Sequence, residues 1–117
     1  MLAHFDKNGY LFVLDRQSGR LVRATQFGPR VTWGNIDATS GSVKVRLTPT
    51  PEGNEICAGP AGAKEWPHAA YSERTRLLYT PVIDACGTFK LKSTEFFEGM
   101  PTAIRPIPVG RLPADAY

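Results

Sequence analysis

A lysine and a tryptophan in two separate loops are the residues of this sequence best suited to bind a small molecule. Lys7 stands just before Asn8-Gly9 and a strongly apolar segment, so its ammonium is expected at the entrance of a strand, in a loop that can bind a ligand. Trp66 follows small residues, Gly62 and Ala63, which let a planar ligand approach and stack on the indole ring. Position alone favours a solvated lysine, and core packing of the tryptophan is an alternative of equal standing.

The remaining nucleophiles and histidines indicate no further site. The sequence has no G-x-S-x-G, Walker, H-E-x-x-H or G-x-G-x-x-G motif, which are signatures of hydrolases, kinases, proteases and dinucleotide enzymes. Ser18 and Ser40 fall in predicted turns. His4 and His68 show no spacing that would complete a four-ligand zinc site. No catalytic residue and no metal ligand is therefore predicted in this chain.

Cys57 and Cys86 are the two cysteines, and they flank the third of the hairpins predicted below. Because the strands of a hairpin begin and end near each other, the two sulfur atoms are able to meet. Two buried free thiols are nevertheless the commoner state in a cytosolic protein, so hairpin geometry alone leaves both states open. A disulfide at this spacing would contribute on the order of 3 to 4 kcal/mol to stability.

Turn residues recur at a fixed spacing and define the elements that must position these side chains. The pattern D-x-x-S-G occurs at Asp15-Arg16-Gln17-Ser18-Gly19 and again at Asp37-Ala38-Thr39-Ser40-Gly41. In each copy the aspartate can accept hydrogen bonds from the amides that follow, and the glycine supplies the left-handed conformation of a hairpin loop. A weaker third copy has Ser72 in place of the aspartate and Arg76 in place of the glycine. The predicted hairpins span residues 9–25, 35–47 and 68–84.

Helix is expected to be minor, because no long apolar segment of helical period lies between the glycines and prolines. One turn of helix is predicted around Thr94 to Glu98. Prolines 101, 106, 108 and 113 favour an extended connection over residues 100–117. Residues 1–117 are therefore predicted to form one partial domain.

Composition and charge exclude several classes of protein. The 117 residues are enough for one domain, and 42% are hydrophobic, so wholesale disorder is not expected. The net charge is +3 without a run of like charges, so no nucleic-acid surface is predicted. No apolar segment approaches the about 18 to 20 residues of a transmembrane span, and no secretory leader is recognisable at the N-terminus. Taken alone, these features predict a cytoplasmic chain.

A hairpin buries only one face, so repeated hairpins need neighbours. Four-stranded sheets of this kind become stable by stacking around a ring, as the blades of a β-propeller do. At a blade length of about 40 to 50 residues, this chain would form about two blades, and a closed ring needs at least four. The predicted fold is therefore all-β, with an incomplete propeller ring whose remaining blades are the predicted partners.

The sequence contains two motifs that are specific in their residues and in their separation along the chain: DKNGYLFVLDRQSG (residues 6–19) and CAGPAGAKEWPHAAY (57–71). LLYTP (77–81) and Cys86 follow them in order. Together they resemble the pyrroloquinoline-quinone (PQQ) dependent alcohol dehydrogenases of the methanol and ethanol type. The resemblance implies an eight-bladed propeller exported to the periplasm, with PQQ and a calcium or lanthanide ion on the axis. Such enzymes oxidise small alcohols to aldehydes. This chain would supply about two blades from the second half of the ring.

The resemblance also implies roles for individual residues. Lys7 matches a lysine or arginine that contacts the quinone oxygens, where a cation stabilises the charge that develops as the cofactor accepts hydride. Glu65 and Trp66 match an asparagine and a tryptophan beside the cofactor, and Glu65 is a departure from the asparagine. Cys57 and Cys86 match a family disulfide, which implies an oxidising compartment, the periplasm.

The metal ligands and catalytic base of the family match no residues of this chain. The leading hypothesis is therefore a fragment of a PQQ-dependent dehydrogenase that is inactive in isolation, with the metal and the base held by other blades of the full-length parent. One alternative is a non-catalytic β-propeller scaffold that binds other proteins. A second alternative is a free-standing secreted β-domain held by one disulfide.

Overall fold

The computed structural model describes residues 1–91, which form nine β-strands in four sheets and no helix. The strands are β1 (Leu2–Phe5), β2 (Tyr10–Leu14), β3 (Leu21–Gln26), β4 (Gly34–Ile36), β5 (Val43–Val45), β6 (Asn54–Cys57), β7 (Ala70–Ser72), β8 (Leu77–Tyr79) and β9 (Cys86–Phe89). The all-β prediction is confirmed for this part of the chain. The helical turn predicted around Thr94 to Glu98 and the connection over 100–117 lie outside the described residues. Over residues 1–91, no helix is long and apolar enough to cross a membrane.

The largest sheet has the strand order β1-β2-β3 and is built on the apolar strand β2. Branched and aromatic side chains in β2 favour extended backbone. On one side Leu11 lies opposite Phe5 of β1, and on the other Tyr10 lies opposite Gln26 of β3, both in antiparallel register. The central strand therefore has partners along both edges, and the loop between β1 and β2 is held at one end of the sheet.

Three hairpins, β2–β3, β4–β5 and β7–β8, turn with the same hydrogen-bond geometry. In each turn the amide of the fifth residue donates to the carbonyl of the first. These bonds run from Gly19 to Asp15 (2.8 Å), from Gly41 to Asp37 (3.1 Å) and from Arg76 to Ser72 (2.7 Å). The fifth residue has a positive φ each time, 71° at both glycines and 57° at Arg76. The third hairpin thus keeps the turn although an arginine replaces the glycine that this conformation favours.

The two aspartates hold their turns through side-chain oxygens. Asp15 Oδ1 accepts the amide of Ser18 at 2.8 Å. Asp37 Oδ1 accepts the amides of Thr39 and Ser40 at 3.1 and 2.7 Å. Because these bonds favour the charged form, the Ser18 amide lowers the pKa of Asp15 and the Ser40 amide lowers the pKa of Asp37 well below its usual range.

The two cysteines lie in a strand pair that encloses the third hairpin. Strands β6 and β9 are antiparallel, with Cys57 directly opposite Cys86. The two residues form a disulfide, and their Cα atoms are 4.3 Å apart. The pairing of β6 with β9 has no counterpart in the predicted hairpins, because no local turn joins two strands separated by the whole of β7 and β8. The disulfide therefore closes a non-local sheet.

The core is small and centred on three buried residues, Tyr10, Ala24 and Ile36. The Tyr10 hydroxyl accepts a hydrogen bond from the Ile36 amide at 3.2 Å, so the buried phenol has a partner. Partly buried side chains pack around these residues: Phe12, Leu21, Val31 and Trp33. This core joins the first sheet to β4.

Large apolar side chains remain exposed on the short sheets. Val45 of β5 is 58% exposed, and Leu77 and Tyr79 of β8 are 55% and 50% exposed. Such residues are usually covered when they cluster on a sheet face. The sheets β4–β5 and β7–β8 therefore present apolar surface that residues 1–91 do not cover.

Asp37→Asn should destabilise the fold near neutral pH and flatten its loss of stability in acid. Since the pKa of Asp37 is lowered in the folded state, its contribution is present above the unfolded pKa of about 4 and is lost as pH falls below that value. As the pH is lowered from neutral to below about 4, the thermal unfolding midpoint is expected to fall less steeply for the variant than for the native chain. Glu73→Gln, in the β7–β8 turn, is the control, and an unchanged acid profile in Asp37→Asn would contradict this role.

Replacing Cys57 and Cys86 together with serine should lower the free energy of unfolding by about 3 to 4 kcal/mol, because the open chain gains freedom in the unfolded state. Urea unfolding of the oxidised native chain and of the double variant gives this difference. The reduced native chain is the control and should match the variant. A difference below about 1 kcal/mol would show that the β6–β9 pair does not need its crosslink.

Candidate functional site

The loop between β1 and β2 presents Lys7 on a tightly bonded turn. Asp6 Oδ1 accepts the amide of Asn8, and Asn8 Oδ1 accepts the amide of Tyr10, both at 2.9 Å. The Gly9 amide donates to the Asp6 carbonyl at 3.1 Å, and Gly9 has a φ of 94° that a residue with a Cβ rarely adopts. Side chains of this type stabilise turns by such local bonds. The backbone of Lys7 is therefore held from both sides.

The loop after β6 packs directly against this turn. The Ala63 amide donates to the Lys7 carbonyl at 3.0 Å, and the Ala63 carbonyl accepts the Ile83 amide at 2.9 Å. Gly62 adopts a φ of 68°, and a Cβ at this position would meet the Lys7 side chain and lie 2.8 Å from the Lys7 carbonyl oxygen. The close contact of the two loops therefore requires glycine at position 62.

An ion pair links the two loops through their side chains. The Lys7 ammonium donates to the Glu65 carboxylate, although the two residues are 58 positions apart in the sequence. The side chains are 54% and 31% exposed, so solvent reaches the pair. Both residues were predicted from the resemblance to lie at a cofactor. The structure brings them into direct contact.

Trp66 projects into solvent at the same loop. Its side chain is 84% exposed, so it does not pack in the core formed by residues 1–91, and the core-packing interpretation is wrong for this part of the chain. The Lys64 ammonium donates to the carbonyls of Glu65 and Pro67 at 2.7 and 2.6 Å, on either side of the tryptophan. The backbone that carries the indole is thereby held while its ring remains open to a planar partner.

Trp33 connects the Lys7 turn to the disulfide-bonded sheet. Its indole nitrogen donates to the Asn8 carbonyl at 2.9 Å. The amides of Thr32 and Trp33 both donate to the Cys57 carbonyl, at 2.6 and 3.2 Å. The position of the Lys7 turn therefore depends on β6 as well as on the first sheet.

An open, mainly apolar cleft with a volume of about 520 Å³ lies beside Lys7. Its walls include Trp33, Ile56, Pro60 and Phe89. A cleft of this size is within the range of small-molecule sites. It belongs to the same surface as Lys7 and extends that surface toward the β6–β9 sheet.

The sequence analysis did not recognise Trp33 as part of the site, and it gave Gly62 a role in the approach of a ligand but not in the contact with Lys7. Their roles depend on contacts with Asn8 and Lys7 that no local pattern predicts. His4 and His68 are both exposed. Over residues 1–91, no group of three or more His, Cys, Asp and Glu side chains lies close enough to hold a metal ion.

Comparison with known proteins relates the chain to quinoprotein enzymes. A lanthanide-dependent methanol dehydrogenase of Methylorubrum extorquens is 31% identical over an alignment of 114 residues, and the match covers 86% of this chain and 19% of that protein. A quinoprotein ethanol dehydrogenase of Pseudomonas aeruginosa is 37% identical over 90 residues, and the match covers 68% of this chain and 14% of that protein. A quinohemoprotein alcohol dehydrogenase of Pseudomonas putida is 31% identical over 101 residues, and the match covers 82% of this chain and 14% of that protein. No protein-family model matches the chain, and no solved structure matches it significantly.

These relatives share one class, the quinoprotein dehydrogenases, and the all-β structure agrees with that class. The chain belongs to the PQQ-dependent alcohol dehydrogenases and corresponds to part of such a protein. The resemblance recognised in the sequence is thereby confirmed. The chain spans less than a fifth of the length of the curated relatives described above.

Gly62→Ala should cost at least twice as much stability as Gly19→Ala. The two glycines have nearly equal φ values, 68° and 71°, so each alanine carries a similar backbone strain of about 1 to 2 kcal/mol. A Cβ at position 19 meets no atom within 4 Å, whereas one at position 62 meets the Lys7 turn. Urea unfolding compares the two variants, and equal losses would show that the loops do not need close contact.

Proposed function

We propose that this chain forms about two blades of an eight-bladed propeller in a PQQ-dependent enzyme that oxidises small alcohols to aldehydes, with Lys7, Glu65 and Trp66 at its cofactor. The observation that carries the proposal is the contact between two distant loops, made by the Ala63 amide and the Lys7 carbonyl. This contact gathers a half-exposed ammonium, its carboxylate partner and an open indole ring on one surface. The relatives named above are quinoprotein enzymes.

Lys7 has the chemistry that an anionic quinone requires. The bound cofactor would supply the hydride acceptor, which protein side chains lack. A positively charged donor beside a quinone oxygen stabilises the negative charge that develops there during reduction, and it needs no reorganisation if it is already in place. The turn of Asp6 and Asn8 fixes the base of the Lys7 side chain. Its flexible stem then lets the ammonium reach the oxygen.

Trp66 has the surface that a planar ring system requires. An indole presents a large rigid face, and stacking of aromatic rings contributes about 0.5 to 1.5 kcal/mol beyond the burial of their area. Because Lys64 holds the backbone on both sides of Trp66, little backbone order has to be gained when a ring stacks on the indole. The indole would also exclude water from one face of the ligand.

The exposed apolar sheets support an assembly with further blades. Val45, Leu77 and Tyr79 would be buried between neighbouring blades, and full burial of one such side chain contributes about 1.5 to 3 kcal/mol. We propose that the other blades of the parent also hold the calcium or lanthanide ion and the catalytic base. The chain by itself is then inactive.

The disulfide supports an oxidising compartment for the parent protein. Disulfides persist in the bacterial periplasm and are rare in the cytosol, where thiols are kept reduced. The Cys57–Cys86 bond lies in the sheet that anchors Trp33 and, through it, the Lys7 turn. We therefore propose a periplasmic location.

Lys7→Met should weaken PQQ binding about tenfold, because it removes a charged hydrogen-bond donor worth about 1.5 kcal/mol or more. PQQ titrated into the 117-residue chain, with quenching of tryptophan fluorescence as the signal, measures the affinity. Lys44→Met, on the exposed strand β5, is the control and should bind as the native chain does. In Trp66→Phe most of the quenching should disappear.

Two outcomes would oppose the proposal. Equal PQQ affinity in Lys7→Met and Lys44→Met would show that Lys7 does not contact the cofactor. Absence of PQQ binding by the native chain, together with absence of dye-linked alcohol oxidation by the full-length parent, would favour the non-catalytic propeller scaffold.

A further inference from the structure

The Lys7 ammonium is already occupied by an anion of the protein. Glu65 provides the carboxylate, and its loop is held against the Lys7 turn by the Ala63 amide. The pair neutralises its own charge, so the surface that faces a ligand at this point carries no net positive charge from Lys7. An anionic ligand must therefore either displace Glu65 or share the ammonium with it.

Sharing the ammonium is unfavourable because it places two negative charges around one cation. Like charges a few ångströms apart repel, and they repel more strongly near a protein surface than in bulk water because the effective dielectric constant is lower there. Displacement breaks the existing ion pair, which contributes only modestly to stability because both side chains are partly exposed to solvent. Either route lowers the affinity for an anion at Lys7.

The ion pair is not needed to hold the loops together. The backbone of Lys7 is fixed by the Asp6-Asn8 turn and by the Ala63 amide, and the indole of Trp33 holds the Asn8 carbonyl. None of these bonds uses the Glu65 carboxylate. Removal of that carboxylate would therefore free the ammonium and leave the turn in place.

We propose that Glu65 competes with the anionic groups of a planar ligand for Lys7, and so sets how strongly this surface favours a charged ligand over an uncharged one of the same shape. The inference rests on the proposed function, in which Lys7 faces a quinone that carries carboxylates. It predicts that the charge of the ligand decides the effect of Glu65. A ligand of the same shape without charge is indifferent to the carboxylate.

The test compares PQQ with its uncharged trimethyl ester in fluorescence titrations of the 117-residue chain at low ionic strength. Glu65→Gln and Glu65→Asn should both bind PQQ about three- to fivefold more tightly than the native chain, the upper part of the range expected for loss of an exposed competing charge. Affinity for the trimethyl ester should stay within about twofold, since no charge is involved. Glu73→Gln, which removes a carboxylate from the β7–β8 turn, is the matched control and should behave as the native chain.

The outcomes separate this inference from the proposed function. Unchanged PQQ affinity in both Glu65 variants, with PQQ still bound by the native chain, overturns the inference and leaves the proposed function standing. Tighter binding of the ester and of PQQ alike also overturns it, because the effect would then be steric. Failure of the native chain and of every variant to bind PQQ overturns the inference, and it overturns the proposed function as well if the full-length parent shows no dye-linked alcohol oxidation. Thermal unfolding of each variant verifies that the chain is folded. Because Glu65→Gln and Glu65→Asn are both neutral replacements, agreement between them shows that the effect comes from loss of the charge and not from a local structural defect in one variant.

Discussion

The hydrogen bond from the Ala63 amide to the Lys7 carbonyl is the contact on which the site depends. It joins a turn of the first sheet to a loop that follows β6, and it brings the Glu65 carboxylate within reach of the Lys7 ammonium. Gly62 makes this approach sterically allowed, because any Cβ there would meet the turn. Backbone proximity thus comes first, and the ion pair follows from it.

The β6–β9 sheet supports this contact through Trp33. Its disulfide ties β6 to β9, and the Cys57 carbonyl accepts the amides that orient Trp33, whose indole in turn holds the Asn8 carbonyl. Stability and site geometry are therefore coupled. Since few of residues 1–91 are buried, a crosslink worth on the order of 3 to 4 kcal/mol is a large part of the free energy of unfolding.

The turns of residues 1–91 are complete within this part of the chain, whereas the apolar faces of its short sheets are not covered by it. This chain spans less than a fifth of the length of its relatives, and over residues 1–91 it forms its local turns while large apolar side chains of its short sheets stay exposed. Local hydrogen bonds can form in any such segment. Burial of Leu77 and Tyr79 needs partners from outside residues 1–91.

Local chemistry determined the turns. In the Asp15 and Asp37 turns, all donors and acceptors lie within five residues, so the residue types alone indicate the hairpin and the positive φ of its glycine. The resemblance, carried by two long segments in fixed order, also singled out Lys7 and Trp66 and identified the family. These features depend on neighbours in the chain or on similarity along it.

Apart from the pairing of Cys57 with Cys86, which the resemblance implies, tertiary structure alone decided which distant groups meet. The pairing of Lys7 with Glu65 spans 58 positions, and the contacts of Trp33 with Asn8 and of Gly62 with Lys7 leave no periodic trace in the sequence. Strands β6 and β9 are short and no local turn joins them, so their register, with Cys57 opposite Cys86, depends on the fold of the residues between them. The physical reason is that a non-local contact depends on the folded path of all the residues between its partners, whereas a turn depends on five.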